Sequence, residues 1–458
     1  MAKVAAAGEV RINLVRVMDL LQEHITSALC QAAFRRIRTS ERQRKWTLHA
    51  LVQFWTAVIL RAPQALSQAL QDALDSREPL IPSIRATPEA FFQRCRDLRP
   101  AFFAEVFKGF TAQLLEHVPE RYAAATAPIQ ACFAGIVLID GSRLAAIAHR
   151  LKITRNERAV ILPGCLLGVY DLARGLCRAL YFDADAAASE MTRAKAALAD
   201  LVRDMLVVGD RLYCTADFFH ALAAHECWGL FRRHRSLGLR RRRRLRKRHH
   251  LGGCLEDWIV EAGSGQRVPV QTLRLIRWRR AGTCHELLTN VLDPTRLRAD
   301  EALGLYPLRW SIERMYFDLK EVLNLNRIYA ANPNAVAMQA FAAAMVYNAM
   351  RVAQGEVAAT AGIDPEEISP AKFYPRMAAA CHMYVTAQQW EQEVRELNPR
   401  RGLRLPDWSQ QPWASIPLTP IRVEKRRGRR RTRRYCKARG RWKSIARVSG
   451  GRRYTRLT

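Results

Sequence analysis

The sequence predicts a mixed α/β core with a β-rich insertion, preceded by a helical domain and followed by a basic tail. Two short apolar runs, Gly135–Asp140 and Met205–Asp210, are typical of strands buried on both faces. Between them, Pro163–Tyr170 and Gly175–Phe182 are joined by a short turn, which indicates a hairpin. Helical patterns follow the hairpin and the second run, and this alternation is that of a mixed α/β fold.

The remaining regions differ from the core in composition. Periodic apolar residues predict helices before residue 128, and DNA binding and a purely structural role are both open for that domain. The end of the chain has too many like charges to fold alone. The predicted regions are a helical domain at 1–128, the core at 129–227 and 283–355, a β-rich basic insertion at 228–282, a helical region at 356–420 and a basic disordered tail at 421–458.

The formal net charge of +32 is concentrated in two segments. The stretch from Gly229 to His250 carries 11 Lys and Arg residues and no acid, and the stretch from Arg422 to the end carries 17 with a single acid. Positive charge of this density implies a polyanionic partner, most simply nucleic acid.

Other features of the sequence bear on its location. The 11 cysteines form no Cys-x-x-Cys pair and no cluster with zinc spacing, as expected for reduced thiols in a cytosolic protein. Neither a signal peptide nor a transmembrane run is evident. We therefore expect a cytoplasmic, nucleoid-associated protein with no membrane partner.

A segment in the second half predicts an amphipathic helix with a chemically rich face. Tyr306, Arg309, Glu313 and Lys320 fall at i, i+3, i+7 and i+14 and so project from one side of a helix. The adjacent stripe is apolar and would seat the helix on a core: Leu308, Ile312, Met315, Leu319 and Val322. Taken alone, Glu313 and Arg309 could equally form an ordinary surface ion pair.

Asp140 and Asp210 each end one of the buried apolar runs. A carboxylate in that position is costly unless it is paired or binds metal, although Asp residues also cap turns at strand ends. With Glu313 they make three carboxylates that could converge, a donor set suited to two Mg²⁺ or Mn²⁺ ions. Two such metal ions held close together support in-line displacement at phosphorus.

These residues resemble the DDE transposases of bacterial insertion sequences, in particular the cut-and-paste branch with a Tyr-x2-Arg-x3-Glu-x6-Lys signature. The signature residues from Tyr306 to Lys320 meet that spacing without departure. Ile139–Ser142 is similar to the first-acid motif, and Val208–Tyr213 to the second, with Leu212 where the family usually has Gly. The resemblance covers roughly 130–355, and a chance match of three ordered motifs is improbable.

The resemblance implies an RNase H-like core in which Asp140, Asp210 and Glu313 hold two metal ions. It implies that water first hydrolyses a phosphodiester bond at each end of the insertion sequence, which frees a 3′-OH. That 3′-OH then attacks target DNA. Arg309, Lys320 and Tyr306 would contact DNA phosphates. Relatives work as dimers, so we expect a homodimer on double-stranded DNA that includes the element ends and the target.

Further DNA contacts are expected from the insertion and from Arg211, which follows the second acid. The run of Arg240, Arg241, Arg242, Arg243 and Arg244 is interpreted as a loop over DNA that contacts phosphates without reading sequence. Some relatives flip a base onto an aromatic residue of the insertion. Trp278, Trp258 and His285 are the candidates here, and a strand aromatic in the core of the insertion is the alternative.

Two other functions remain open at this level. The chain could be a catalytically idle or host-recruited DNA-binding protein, or a metal-dependent DNA nuclease of the same fold. Retention of all three acids and the full signature favours the transposase.

Overall fold

The computed structural model describes residues 11–38, 44–75, 80–144, 161–263, 268–330, 332–397, 406–418, 421–423 and 443–444. Within these residues a nine-stranded sheet forms the centre of the fold, in the order β3-β2-β1-β4-β5-β9-β8-β7-β6. Its strands are β1 (Ile136–Arg143), β2 (Cys165–Asp171), β3 (Leu176–Asp183), β4 (Leu206–Gly209), β5 (Trp228–Arg232), β6 (Leu239–His250), β7 (Gly253–Ala262), β8 (Gln271–Arg280) and β9 (Thr283–Thr289).

Thirteen α-helices form within the described residues; some cover the two faces of the core half of this sheet, while others pack on those helices. They are α1 (Arg16–His24), α2 (Ser27–Ile37), α3 (Leu48–Arg61), α4 (Leu66–Leu74), α5 (Pro88–Asp97), α6 (Pro100–His117), α7 (Ala127–Gln130), α8 (Glu190–Ala197), α9 (Ala216–Ala224), α10 (Ala299–Leu305), α11 (Trp310–Phe317), α12 (Pro333–Ala361) and α13 (Pro370–Leu397). No described helix is both long enough and apolar enough to cross a bilayer.

The core half combines parallel and antiparallel strands. β1, β4 and β5 run parallel, while β2 and β3 form the predicted antiparallel hairpin beside β1. Alternate residues of β1 enter different apolar clusters: Leu138 joins the cluster of α11 and α12, and Val137 and Ile139 join that of α8 and α9. The mixed α/β prediction is confirmed, because parallel and antiparallel strands share one sheet with helices packed on it.

The insertion is an antiparallel extension of the same sheet. β9 returns the chain to the core and pairs with β5, while β8, β7 and β6 continue outward. The loop interpretation of the arginine run was wrong, because these residues form the 12-residue edge strand β6. Pairing is favoured by its neighbour β7, where Glu261 lies opposite Arg240 and Glu256 lies opposite Lys247.

The N-terminal helices pack around α12, which is buried along nearly its whole length. α3, α6 and α1 contact this helix, and their apolar residues join one continuous cluster with it. A helix that is apolar on every side must be surrounded by other elements that bury it.

Two details of the predicted site differ in the structure. Asp140 lies inside β1, which extends to Arg143, and does not end its strand. The signature segment is not one uniform α-helix, because a 3-10 turn (Tyr306–Arg309) precedes α11 and a π-turn (Asp318–Val322) follows it. Pro307 in the first turn lacks the N–H of a regular helix. Of the predicted basic tail, only 421–423 and 443–444 are described; its remaining residues lie outside the described ranges.

Candidate active site

Asp140 presents its carboxylate from β1 with only 19% of the side chain exposed. The backbone N–H of Gly141 donates a hydrogen bond to Oδ1 at 3.0 Å. Burial raises the pKa of Asp140 to about 7, the negative charges of Glu190 and Asp210 add to this rise, and Arg309 opposes it. The first predicted acid therefore lies where positive charge would stabilise its ionised form.

Asp210 follows β4 directly and lies beside Asp140. Ile139 of β1 is paired with Gly209 of the parallel strand β4. Asp140 and Asp210 are the residues that come next in the chain after these two. Neighbouring strands are about 4.8 Å apart. The N–H of Leu212 donates to Oδ1 of Asp210 at 2.6 Å, which fixes the carboxylate. The structure thus brings the first two predicted acids together.

Glu313 reaches the same region from α11 and is joined to Asp140 through Arg309. Nη2 of Arg309 lies 2.7 Å from Oε1 of Glu313, and Nη1 lies 3.6 Å from Oδ2 of Asp140. Burial acts to lower the pKa of Arg309, but Glu313, Tyr306 and Asp140 outweigh it and raise that pKa. The guanidinium supplies compensating positive charge among acids that repel one another.

The acids are not gathered tightly around a single point. Among the described residues, no group of three or more acidic, histidine or cysteine side chains is close enough to hold one metal ion. The arrangement consists of the adjacent Asp140 and Asp210, with Glu313 held on the far side of Arg309.

The other signature residues border the same strand. Nζ of Lys320 donates to Oγ of Ser142 at 2.6 Å and to the carbonyl oxygen of Arg143 at 2.7 Å, and burial lowers the pKa of Lys320. Tyr306 lies close enough to Arg309 and Asp210 that both charges act on its pKa, which burial raises. The four signature residues therefore lie near Asp140 and the residues that follow it in β1, even though the segment is not a regular helix.

Two tyrosines hold the acid-bearing elements together, and neither was predicted to do so. The hydroxyl of Tyr316 on α11 donates to the carbonyl oxygen of Asp140 at 2.8 Å. A Cβ on Gly168 of β2 would lie only 2.8 Å from that hydroxyl, so the close packing requires glycine there. The hydroxyl of Tyr213 donates to Oε1 of Glu190 at 2.6 Å.

An aromatic pocket of about 340 Å³ opens beside the signature segment. Trp278 and His285 form a cross-strand pair in it, with ring centroids 5.7 Å apart. Trp310, which is 61% exposed, lines the opposite side together with Tyr306. Trp310 was not among the residues predicted from the sequence, although a tryptophan directly after Arg309 in the signature was a usable signal.

Trp258 does not line this pocket. Its ring lies beneath two arginines of β6, with the guanidinium carbons of Arg241 and Arg244 at 5.2 and 5.6 Å from the ring centroid. The three aromatic candidates are thus divided between the pocket and the basic edge strand.

The predicted basic residues lie on exposed surface. Arg240 to Arg244 are all exposed on β6, and Arg242 pairs with Glu261 of the adjacent strand at 2.5 Å. Arg211 is exposed next to Asp210. Charge on an edge strand also opposes sheet-to-sheet aggregation.

Part of the chain is similar to known proteins. Residues 166–349 match the family model described as the transposase DDE domain, a range that includes Asp210 and Glu313 and begins after Asp140. A putative transposase, y4zB, from Sinorhizobium fredii (strain NBRC 101917 / NGR234) is 31% identical over 150 residues, which is 31% of this chain and 41% of that protein. The chain thus matches less than half the length of this relative.

A solved structure of the piggyBac transposase synaptic complex with hairpin DNA superposes with a TM-score of 0.39 at 9% identity, covering 86% of this chain and 88% of that one. Residues 166–349 are thus similar to DDE transposase domains, as the sequence predicted for this region, while the assignment of the whole chain to that family and to its Tyr-Arg-Glu-Lys branch stays a prediction.

Proposed function

We propose that this protein is a DNA transposase that cleaves the ends of its insertion sequence and joins the 3′-OH ends to target DNA. The observation that carries the proposal is the placement of Asp140, Asp210 and Glu313 at one end of the core sheet, with Arg309 between the first and the third. The three residues follow one another along the chain in the Asp, Asp, Glu order of the DDE motif.

The donor set fits divalent cations. Three partly buried carboxylates are hard oxygen ligands of the kind that Mg²⁺ and Mn²⁺ prefer. When bound, a pair of such ions activates the attacking oxygen and stabilises the leaving oxygen of a phosphodiester. The raised pKa of Asp140 means that its proton must leave when the carboxylate acts as a ligand, so we expect ion binding to release protons near neutral pH.

The basic signature residues are placed to bind the DNA backbone beside the acids. Nε of Arg309 is buried without a hydrogen-bond partner in the described structure, so it can donate to a phosphate oxygen. The ammonium of Lys320 has three donors and uses two of them on Ser142 and Arg143, which leaves one for a phosphate. Tyr306 adds a half-buried hydroxyl beside Arg309.

The remaining contacts extend over the insertion. The exposed arginines of β6 and Arg211 would follow the phosphates of double-stranded DNA, and a homodimer would hold two element ends together. The pocket between Trp278, His285 and Trp310 fits a base that has left the stack, since stacking on aromatic rings contributes about 1–3 kcal/mol per base.

The test is cleavage and strand transfer on DNA that carries the inverted repeats flanking the gene, with Mg²⁺ or Mn²⁺. We expect Asp140→Asn, Asp210→Asn and Glu313→Gln to lose both steps while retaining DNA binding. Glu393→Gln removes an exposed helix carboxylate far along the chain and should leave both steps unchanged. Full cleavage by the Glu313 variant would refute its assignment, and cleavage without joining would favour a nuclease. Metal-independent DNA binding alone would favour the idle protein.

A further inference from the structure

Glu190 occupies the first position of α8, and its surroundings are unusual for such a residue. Ser189 caps the helix, accepting a hydrogen bond from the N–H of Thr192 at 3.3 Å. An acid in the first turn of a helix ordinarily faces solvent and interacts with the helix dipole. Here the side chain is half-buried and turned toward β1.

The carboxylate of Glu190 lies directly against the backbone that follows the first acid. A Cβ built on Gly141 would be 2.3 Å from both Cδ and Oε2 of Glu190, and 2.8 Å from Oε1. Only a glycine next to Asp140 leaves room for this approach. The negative charge of Glu190 also acts on the carboxyl group of Asp140, so the two side chains lie close enough to interact although 50 residues separate them in the chain.

A buried tyrosine ties Glu190 to the second acid as well. Tyr213 is fully buried, follows Asp210 by three residues and donates its hydroxyl to Oε1 of Glu190 at 2.6 Å. No other hydrogen bond and no ion pair of this carboxylate occurs within the described part of the chain. An acid held against another acid without its own cation is unfavourable unless a cation joins them.

We propose that Glu190 is a fourth acidic ligand of the divalent-ion site, acting beside Asp140, and that Tyr213 is a positioning residue that holds it. The inference rests on the proposed function, since it adds a residue to that site. The contacts that carry it are the approach of the carboxylate to Gly141 and its single hydrogen bond from Tyr213. Carboxylate oxygens in this number suit Mg²⁺ or Mn²⁺.

The test measures Mn²⁺ binding to the full-length protein by calorimetry and by the electron paramagnetic resonance of free Mn²⁺, without DNA. Glu190→Gln should weaken Mn²⁺ affinity at least about tenfold, the lower end of the loss produced by disturbing residues around a metal. Glu89→Gln is the matched control, because Glu89 is an exposed acid in the first turn of α5 behind a threonine cap. It should bind Mn²⁺ as the unaltered protein does.

The outcomes separate this inference from the proposed function. Loss of Mn²⁺ affinity in Asp140→Asn with normal affinity in Glu190→Gln would overturn the role of Glu190 and leave the proposed site standing. An unaltered protein that binds no Mn²⁺ would instead contradict the metal-dependent function itself.

Thermal unfolding separates a ligand from a structural residue. In EDTA, Glu190→Gln should be at least as stable as the unaltered protein, because it removes repulsion with Asp140, while its gain in Tm from Mn²⁺ should be smaller. Glu190→Asp retains the charge and should recover part of the affinity, and Tyr213→Phe should lose less than Glu190→Gln. A variant that is unstable in EDTA and has an undiminished Mn²⁺-induced gain would show a structural role and contradict the proposal.

Discussion

Replacing Asp140 by Asn should stabilise the metal-free protein while abolishing its activity. The carboxyl group is largely buried and faces Glu190 and Asp210, so its ionised form is disfavoured in the fold. Asn has nearly the same shape and carries no charge, and it therefore mimics the protonated acid. The substitution removes a proposed ligand and a repulsion at once, as expected where a site sacrifices stability for function.

The magnitude follows from the two pKa values of this group. Its pKa is about 7 in the fold, against 3.8 as the reference for an unfolded chain. Because the folded pKa is the higher one, the stabilisation from the protonated acid is fully present below pH 3.8 and is lost as the pH rises through 7. About three pKa units at 1.36 kcal/mol each amount to about 4 kcal/mol at pH 8. For 458 residues this corresponds to a Tm increase of about 4 °C.

Differential scanning calorimetry in EDTA at pH 8 and pH 4 measures this effect. We expect Asp140→Asn to raise Tm at pH 8 and to give a gain of less than about 1 kcal/mol near pH 4. Asp204→Asn is a control of opposite sign, because hydrogen bonds from Arg296 lower the pKa of Asp204 and its ionised form is favoured. A loss of stability in Asp140→Asn at pH 8, or a gain independent of pH, would refute this account of the site.

Three further predictions concern Gly141, the aromatic pocket and the edge strand β6. Gly141→Ala should displace the Glu190 carboxylate by about 1 Å and so reduce the rate of DNA cleavage roughly a hundredfold, with unchanged DNA affinity. Single-turnover kinetics measures this rate, and undiminished cleavage would contradict the close packing of Glu190 against Gly141. Trp278→Ala should reduce the fluorescence change of 2-aminopurine placed near the cleavage site, whereas Trp258→Ala, outside the pocket, should not; equal effects would oppose base binding there. Arg243→Gln should lower the slope of log K against log salt by about 0.9 if this exposed residue of β6 neutralises one phosphate; an unchanged slope would place the DNA elsewhere.

Much of the site could be predicted from the sequence because its residues occur in local patterns. Asp140 and Asp210 adjoin apolar runs that mark buried strands, and parallel pairing of those strands then places them side by side. Glu313 and Arg309 are one helical turn apart, which the spacing also predicts. The family comparison supports the DDE assignment of the region with Asp210 and Glu313.

The features that were missed depend on contacts between distant parts of the chain. Glu190 resembles an ordinary acid at a helix start until folding places it against Gly141. The arginine run has the charge density of a solvated loop, and it becomes a strand because the acids and Trp258 of β7 lie opposite it. Neither contact leaves a periodic signal in the sequence.

The most direct test of the central claim is the position of Mn²⁺ in crystals of the protein, located by its anomalous scattering. We expect a peak within about 2.2 Å of carboxylate oxygens of Asp140 and Asp210, with Glu313 released from Arg309 toward it. Mn²⁺ bound elsewhere in the molecule, with Glu313 still paired to Arg309 and no peak between the two aspartates, would contradict it.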